Sequence, residues 1–168
     1  LIAGATGSGK SVCINSIVAS LLFRFSPEEL RFVMIDPKVV ELKPFEKIPH
    51  LYCPIVTSAK KAPPVLAWLV EEMKKRYNLL GDLSVKNIVE YNKLGKKKIF
   101  ELLKEKRSNE EAEAQPEKLP YIVLVIDELA DLMMAAGKDV ERYIPRLTPL
   151  SRAVGLPLIV GTQRPAVN

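Results

Sequence analysis

Eight consecutive residues carry the clearest chemistry in the chain: Gly4-Ala5-Thr6-Gly7-Ser8-Gly9-Lys10-Ser11, a complete G-x-x-x-x-G-K-S run after the apolar Leu1-Ile2-Ala3. Glycines at these positions let the backbone curl so that its N–H groups converge on the α- and β-phosphates of a nucleotide, and the following helix adds its positive end. The spacing sends Lys10 to the β- and γ-phosphates and sets the Ser11 hydroxyl beside Mg²⁺, which favours oxygen ligands. A second cluster closes the apolar run Tyr121 to Ile126 with Asp127 and Glu128. Two acids at the end of a buried parallel strand suit a phosphoryl-transfer site: Asp127 for the Mg²⁺ shell, mostly through water, and Glu128 to orient and deprotonate the attacking water.

The elements that position these groups follow from periodicity. Ile14, Ile17, Val18, Leu21 and Leu22 recur at helical spacing directly after the loop. Arg31 to Asp36 reads as a buried strand halted by Pro37, so strand, helix and strand make a βαβ unit. Asp36 and Lys38 then fall at a ligand-binding sheet edge, where a turn-capping aspartate and a solvated lysine are the plainer reading. Pro44, Pro49 and Pro54 keep 41–57 irregular, with a short strand at Leu51 to Val56, and His50 has no partner pointing beyond a structural role. A long helix follows Pro63 and Pro64, with a second from Val85 to Leu94. The lysine-rich run of residues 93–107 reads either as a nucleic-acid patch or as a solvated helix flank facing the acidic tract at 109–117. Lys138 to Ala153 reads as a helix carrying Arg142, Arg146 and Arg152. Any of these could serve a neighbouring subunit's nucleotide or simply pair at the surface. Pro157 to Gln163 is a further short strand with a polar tip.

Composition bounds the rest. A chain of 168 residues with 48% hydrophobic content makes one domain with a substantial core. Its net charge of +5 permits a polyanionic partner, and nucleotide phosphates alone account for part of it. Cys13 and Cys53 lack metal-type spacing and read as reduced core residues, and no apolar run approaches a membrane span of ~20 residues. With three residues ahead of the loop, and an end shortly after an apolar strand, the chain is expected to be a fragment truncated at both ends.

The order of these elements resembles the additional-strand class of P-loop ATPases, in which the strand ending at Gln163 inserts between the loop strand and the acidic strand. That resemblance implies an α/β fold with a mostly parallel sheet, helices on both faces, and Gln163 facing the γ-phosphate. More narrowly, the chain is similar to the RecA-like motor domain of the FtsK/SpoIIIE family of bacterial DNA translocases. The similarity runs through Leu1 to Val12, Met34-Ile35-Asp36-Pro37-Lys38, Ile48 to Leu51, Glu72-Met73 with Arg76-Tyr77, Asn87 with Tyr91-Asn92, Ile126 to Met133, Ser151 to Gly155 and Gly161 to Pro165. It implies an ATP- and Mg²⁺-dependent motor over 1–168, a homohexameric ring threading double-stranded DNA, and a parent protein anchored in the cell membrane at the division septum. It singles out Arg152 as the trans-acting arginine, and Thr162 and Arg164 as DNA contacts. Residues 95–118 match no pattern and are expected to be a mobile charged surface loop. A related conjugative or DNA-end-processing pump, and an ATP-binding switch without turnover, are the competing readings. Met34 to Lys38 and Thr162 to Pro165 speak against the first, and Glu128 with Gln163 against the second.

Overall fold

The computed structural model describes residues 1–5 and 7–164. Among these, four strands form one sheet: β1 (Ile2–Ala3), β2 (Leu30–Ile35), β3 (Tyr121–Ile126) and β4 (Leu158–Thr162), in the order β1-β4-β3-β2. Every pairing is parallel, with Ile2 opposite Gly161, Ile126 opposite Val160 and Ile35 opposite Ile126. The inserted strand β4 therefore lies where the additional-strand resemblance places it. Parallel strands buried on both faces need apolar side chains at successive positions, and Phe32-Val33-Met34-Ile35 and Ile122 to Ile126 supply them.

Alternation along β2 divides the core. Phe32 and Met34 face Ile14 and Val18 of α1 (Lys10–Arg24), whereas Val33 and Ile35 join the larger core with α2 (Ala62–Asp82) and α6 (Leu129–Leu147). Helices thus cover both faces, as the fold class requires. Pro63 and Pro64 occupy the first turn of α2, where a missing N–H costs nothing. The next helix, α3 (Ile88–Leu94), starts three residues later than its apolar pattern suggests because the Asn87 side chain accepts the Glu90 N–H and fixes the cap.

Several expectations are corrected. The helix read as Lys138 to Ala153 begins at Leu129, kinks at Ala136 beside Gly137, and ends at Leu147, one residue before the Thr148-Pro149 pair that disfavours helix. Leu51 to Val56 forms only isolated bridges, Phe32 to Leu51 and Ile35 to Val56. Cys13 is exposed because it falls off the Lys10, Ile14, Val18 stripe; both thiols are free. Residues 95–118 contain α4 (Lys96–Leu103) and α5 (Asn109–Glu113), which bury Ile99, Leu103 and Ala112. Lys96 Nζ donates to the carbonyls of Glu113 and Gln115, so the basic run folds onto its acidic neighbour. His50 is structural: it is buried, with Nε2 2.8 Å from the Phe25 carbonyl.

Candidate active site

The loop joins the C-terminal end of β1 to α1, so the first helical N–H groups and the loop backbone converge at one sheet edge. Gly7 and Gly9 have φ of +83° and +88°, a left-handed conformation that a side chain would strain. Gly4 N–H donates to the Thr162 carbonyl at 3.1 Å, and Ser8 N–H to the Ala5 carbonyl at 3.0 Å, which ties the loop to β4 and closes it on itself. Thr6 lies outside the described residues.

Lys10, 7% exposed, reaches across the edge to the end of β3. Its ammonium donates to the Asp127 carbonyl at 2.7 Å and lies 3.3 Å from both Asp127 Oδ1 and Glu128 Oε2. Two residues 117 and 118 positions away are thereby joined to the loop through one charge. The approach depends on Gly161, where a Cβ would sit 2.2 Å from the Asp127 carbonyl oxygen.

The carboxylates are tuned in opposite directions. Burial raises Asp127 above the ordinary carboxylate value, partly offset by Lys10. Burial also pushes Glu128 upward, but the Gln163 N–H, the Thr162 hydroxyl, the Ala130 N–H and Lys10 outweigh it and hold Glu128 below its ordinary value. Oε1 accepts from Gln163 N at 3.1 Å and Ala130 N at 3.2 Å, and Oε2 from Gln163 N at 2.9 Å. Glu128 is therefore also the N-cap of α6. These hydrogen bonds favour the ionised form, so Glu128 is a charged acceptor at the strand end.

Gln163 engages the site through its backbone, a link that residue types did not reveal; its side chain is on the exposed tip of β4. Thr162 is buried, and its hydroxyl accepts the Arg164 N–H at 3.1 Å, so it shapes the turn that leaves Arg164 exposed. Asp36 takes the turn-organising role: its oxygens accept the N–H groups of Lys38, Val39, Val40 and Leu42. Lys38 pairs with Asp131 at 2.9 Å, and that hydrogen bond raises its pKa. Among the described residues no cluster of three His, Cys, Asp or Glu could hold a metal. The hydroxyl and carboxylate oxygens of Ser11 and Asp127 fit Mg²⁺, which binds through one or two protein groups plus substrate phosphates and water.

Arg152 is remote from this edge. It sits in the turn after α6, whose Gly155 carbonyl accepts the Ile122 N–H at the start of β3. Five strand steps of ~3.3 Å put the start of β3 ~17 Å from the carboxylate end. The turn is clamped by Arg76, a buried charge on α2 whose role residue types alone did not reveal. Its Nε pairs with Glu72 at 2.7 Å, and its Nη1 donates to the carbonyls of Pro120 (2.7 Å) and Val154 (3.2 Å). Asn92 works similarly, exchanging two hydrogen bonds with the Leu119 backbone. A charged i, i+4 pair inside the apolar stripe of α2 was the available signal.

A glycine loop on β1, a lysine bridging to an Asp-Glu strand end, and a strand inserted between them define a P-loop ATPase domain. The FtsK/SpoIIIE family model matches residues 1–167, and the chain belongs to that family. It is 51% identical over 168 residues to the DNA translocase FtsK of Clostridium tetani, covering all of this chain and 21% of that protein. It is likewise 51% identical over 169 residues to the DNA translocase SftA of Bacillus subtilis, covering 100% of this chain and 16% of the relative. The chain thus spans about a fifth of the length of the curated relatives it matches. Among solved structures, the pCW3 conjugation coupling protein TcpA with ATPγS superposes with a TM-score of 0.69 at 32% identity, over 98% of this chain and 42% of TcpA. EssC (ATPases 2 and 3) of Geobacillus thermodenitrificans, at 21% identity and TM-score 0.75 over 97% of this chain and 27% of EssC, shares the fold.

Proposed function

We propose that residues 1–168 form the motor domain of an ATP-driven double-stranded DNA translocase acting in bacterial chromosome partition and cell division or sporulation. Hydrolysis takes place between subunits of a homohexameric ring. The observation that carries hydrolysis is the Lys10 ammonium 3.3 Å from both Asp127 and Glu128, directly behind the glycine loop. Family membership and half-identity to proteins named DNA translocases support the DNA substrate.

In this reading the backbone of Gly4 to Ser11, with Ala5, Thr6 and Ser8 between the glycines, binds the phosphates of ATP, and Lys10 swings its charge onto the β- and γ-phosphates. The Ser11 hydroxyl and, through water, Asp127 would hold Mg²⁺, which would supply charge neutralisation at the phosphates. Glu128 orients the attacking water, and Gln163, hydrogen-bonded to Glu128, links the tip of β4 to the γ-phosphate. Arg152 acts on the nucleotide of the neighbouring subunit; its turn packs at the start of β3, the opposite end of that strand from the carboxylates, which supports a role in trans. Arg164 contacts DNA phosphates from the turn that Thr162 shapes, so binding falls steeply with salt and has little sequence preference. The parent protein is anchored in the cell membrane at the septum; among the described residues no helix is long and apolar enough to cross a membrane.

The test is steady-state ATPase of the complete motor with and without long double-stranded DNA, at low and moderate salt. DNA stimulation that disappears in both Lys10→Ala and Arg152→Ala supports a translocase with shared sites. Hydrolysis indifferent to DNA sinks it and leaves a nucleotide switch.

A further inference from the structure

The edge that carries Arg152 holds a second cation. Lys86 and Arg152 line one cavity of about 640 Å³ together with Asn87, Ile88, Tyr121 and Pro149, and its lining contains no carboxylate. Neither cation makes an ion pair among the described residues. In the adjoining cavity, which Lys86 also borders, the one acid, Asp82, is taken by Arg107. Two cations facing one concave space, neither in an ion pair and with the nearby Glu90 carboxylate engaged by the Lys86 main-chain N–H, suit an anion, since each repels the other until a counter-charge arrives.

The two segments are held rigidly against each other. Ile88 N–H donates to the Ala153 carbonyl at 2.9 Å, directly linking the Lys86 strand of chain to the Arg152 turn. On one side Lys86 N–H is fixed by Glu90 Oε2 at 2.8 Å; on the other, Arg76 holds the Val154 carbonyl. A Cβ on Gly155, at φ +76°, would lie 2.4 Å from Ile88 Cδ1, so the turn packs onto α3 as closely as backbone allows. Fixed main chain beneath two flexible cationic side chains is a preorganised arrangement for a multiply charged oxyanion, with the arginine fork able to bind two oxygens and the lysine a third.

We propose that Lys86 and Arg152 together form a cradle for the terminal phosphates of a nucleotide bound on a neighbouring copy of this chain, with Lys86 the second trans-acting cation. The inference rests on the intersubunit reading of Arg152 and adds Lys86 to it. The chain's own loop is excluded as the source, because the length of β3 separates the cradle from Lys10.

Subunit mixing in the complete motor tests this. Lys86→Ala should lower DNA-stimulated turnover at least tenfold while DNA affinity and melting temperature stay at wild-type values, and Lys86→Arg should restore most of the turnover. Mixed with Lys10→Ala chains, Lys86→Ala chains should regain activity, because the Lys10→Ala subunit brings an intact cradle to its neighbour's intact loop. Arg152→Ala with Lys10→Ala serves as the reference mixture. Recovery there but not with Lys86→Ala, or full activity of Lys86→Ala alone, overturns the role of Lys86 and leaves Arg152 in place. Recovery in neither mixture overturns the intersubunit reading itself. Weakened DNA binding by Lys86→Ala assigns the cradle to DNA phosphates and also overturns the proposal.

Discussion

The two ends of the parallel sheet treat charge in opposite ways. At the C-terminal end Lys10, Asp127 and Glu128 are buried, and the single ammonium pairs with both carboxylates. At the N-terminal end Lys86 and Arg152 are exposed and uncompensated, while the charge that supports them, Arg76, is buried with Glu72. A cluster that holds both signs satisfies much of its charge internally, whereas cations outside any ion pair leave theirs open.

The comparison breaks most visibly at Glu128. Glu128→Gln keeps the shape and the α6 cap but removes the charge proposed to orient water, so turnover should fall roughly 10²- to 10⁴-fold with nucleotide affinity retained. Single-turnover hydrolysis alongside equilibrium nucleotide binding checks this, and parallel losses in both would place Glu128 in binding instead.

The opposite edge should fail through stability first. Arg76→Met leaves Glu72 without its partner and the Pro120 and Val154 carbonyls without this donor, a cost of about 3 kcal/mol in denaturant unfolding. Gly155→Ala forces a side chain into positive φ and against Ile88, costing about 1–2 kcal/mol. At temperatures where both variants remain folded, nucleotide affinity should be unchanged and DNA-stimulated turnover reduced. Lost nucleotide affinity would mean that the edges are not independent.

That independence also governs how far residue types alone could reveal each end. The loop, Lys10, Asp127 and Glu128 were legible because each belongs to a short run in which strand, turn and functional group are neighbours in the chain. β4 was placed correctly from its apolar run and the family resemblance. The clamp on the Arg152 turn was not legible, since Arg76, Ile88, Pro120 and Val154 meet only through tertiary packing. The start of α6 was missed for a related reason: Glu128, read as a reacting group, is simultaneously its cap.

The smallest expected effect separates the two carboxylates by the pH dependence of folding. Glu128 has a folded-state pKa below its ordinary 4.5, so its ionised form contributes stability above that value, and the contribution is lost as pH falls through the depressed pKa. Asp127 is raised above 3.8 by burial, so its ionised form disfavours folding, and stability from this group increases as pH falls through its raised pKa. The two slopes oppose each other in the wild-type chain. Removing the titrating group with Glu128→Gln leaves the Asp127 slope alone, so the variant should lose less stability than wild type between neutral pH and the range below 4.5. Denaturant midpoints measured across that range read the difference directly. Equal acid limbs in the two proteins would mean that neither the hydrogen bonds from Gln163 and Ala130 nor the Lys10 charge holds Glu128 in its ionised form.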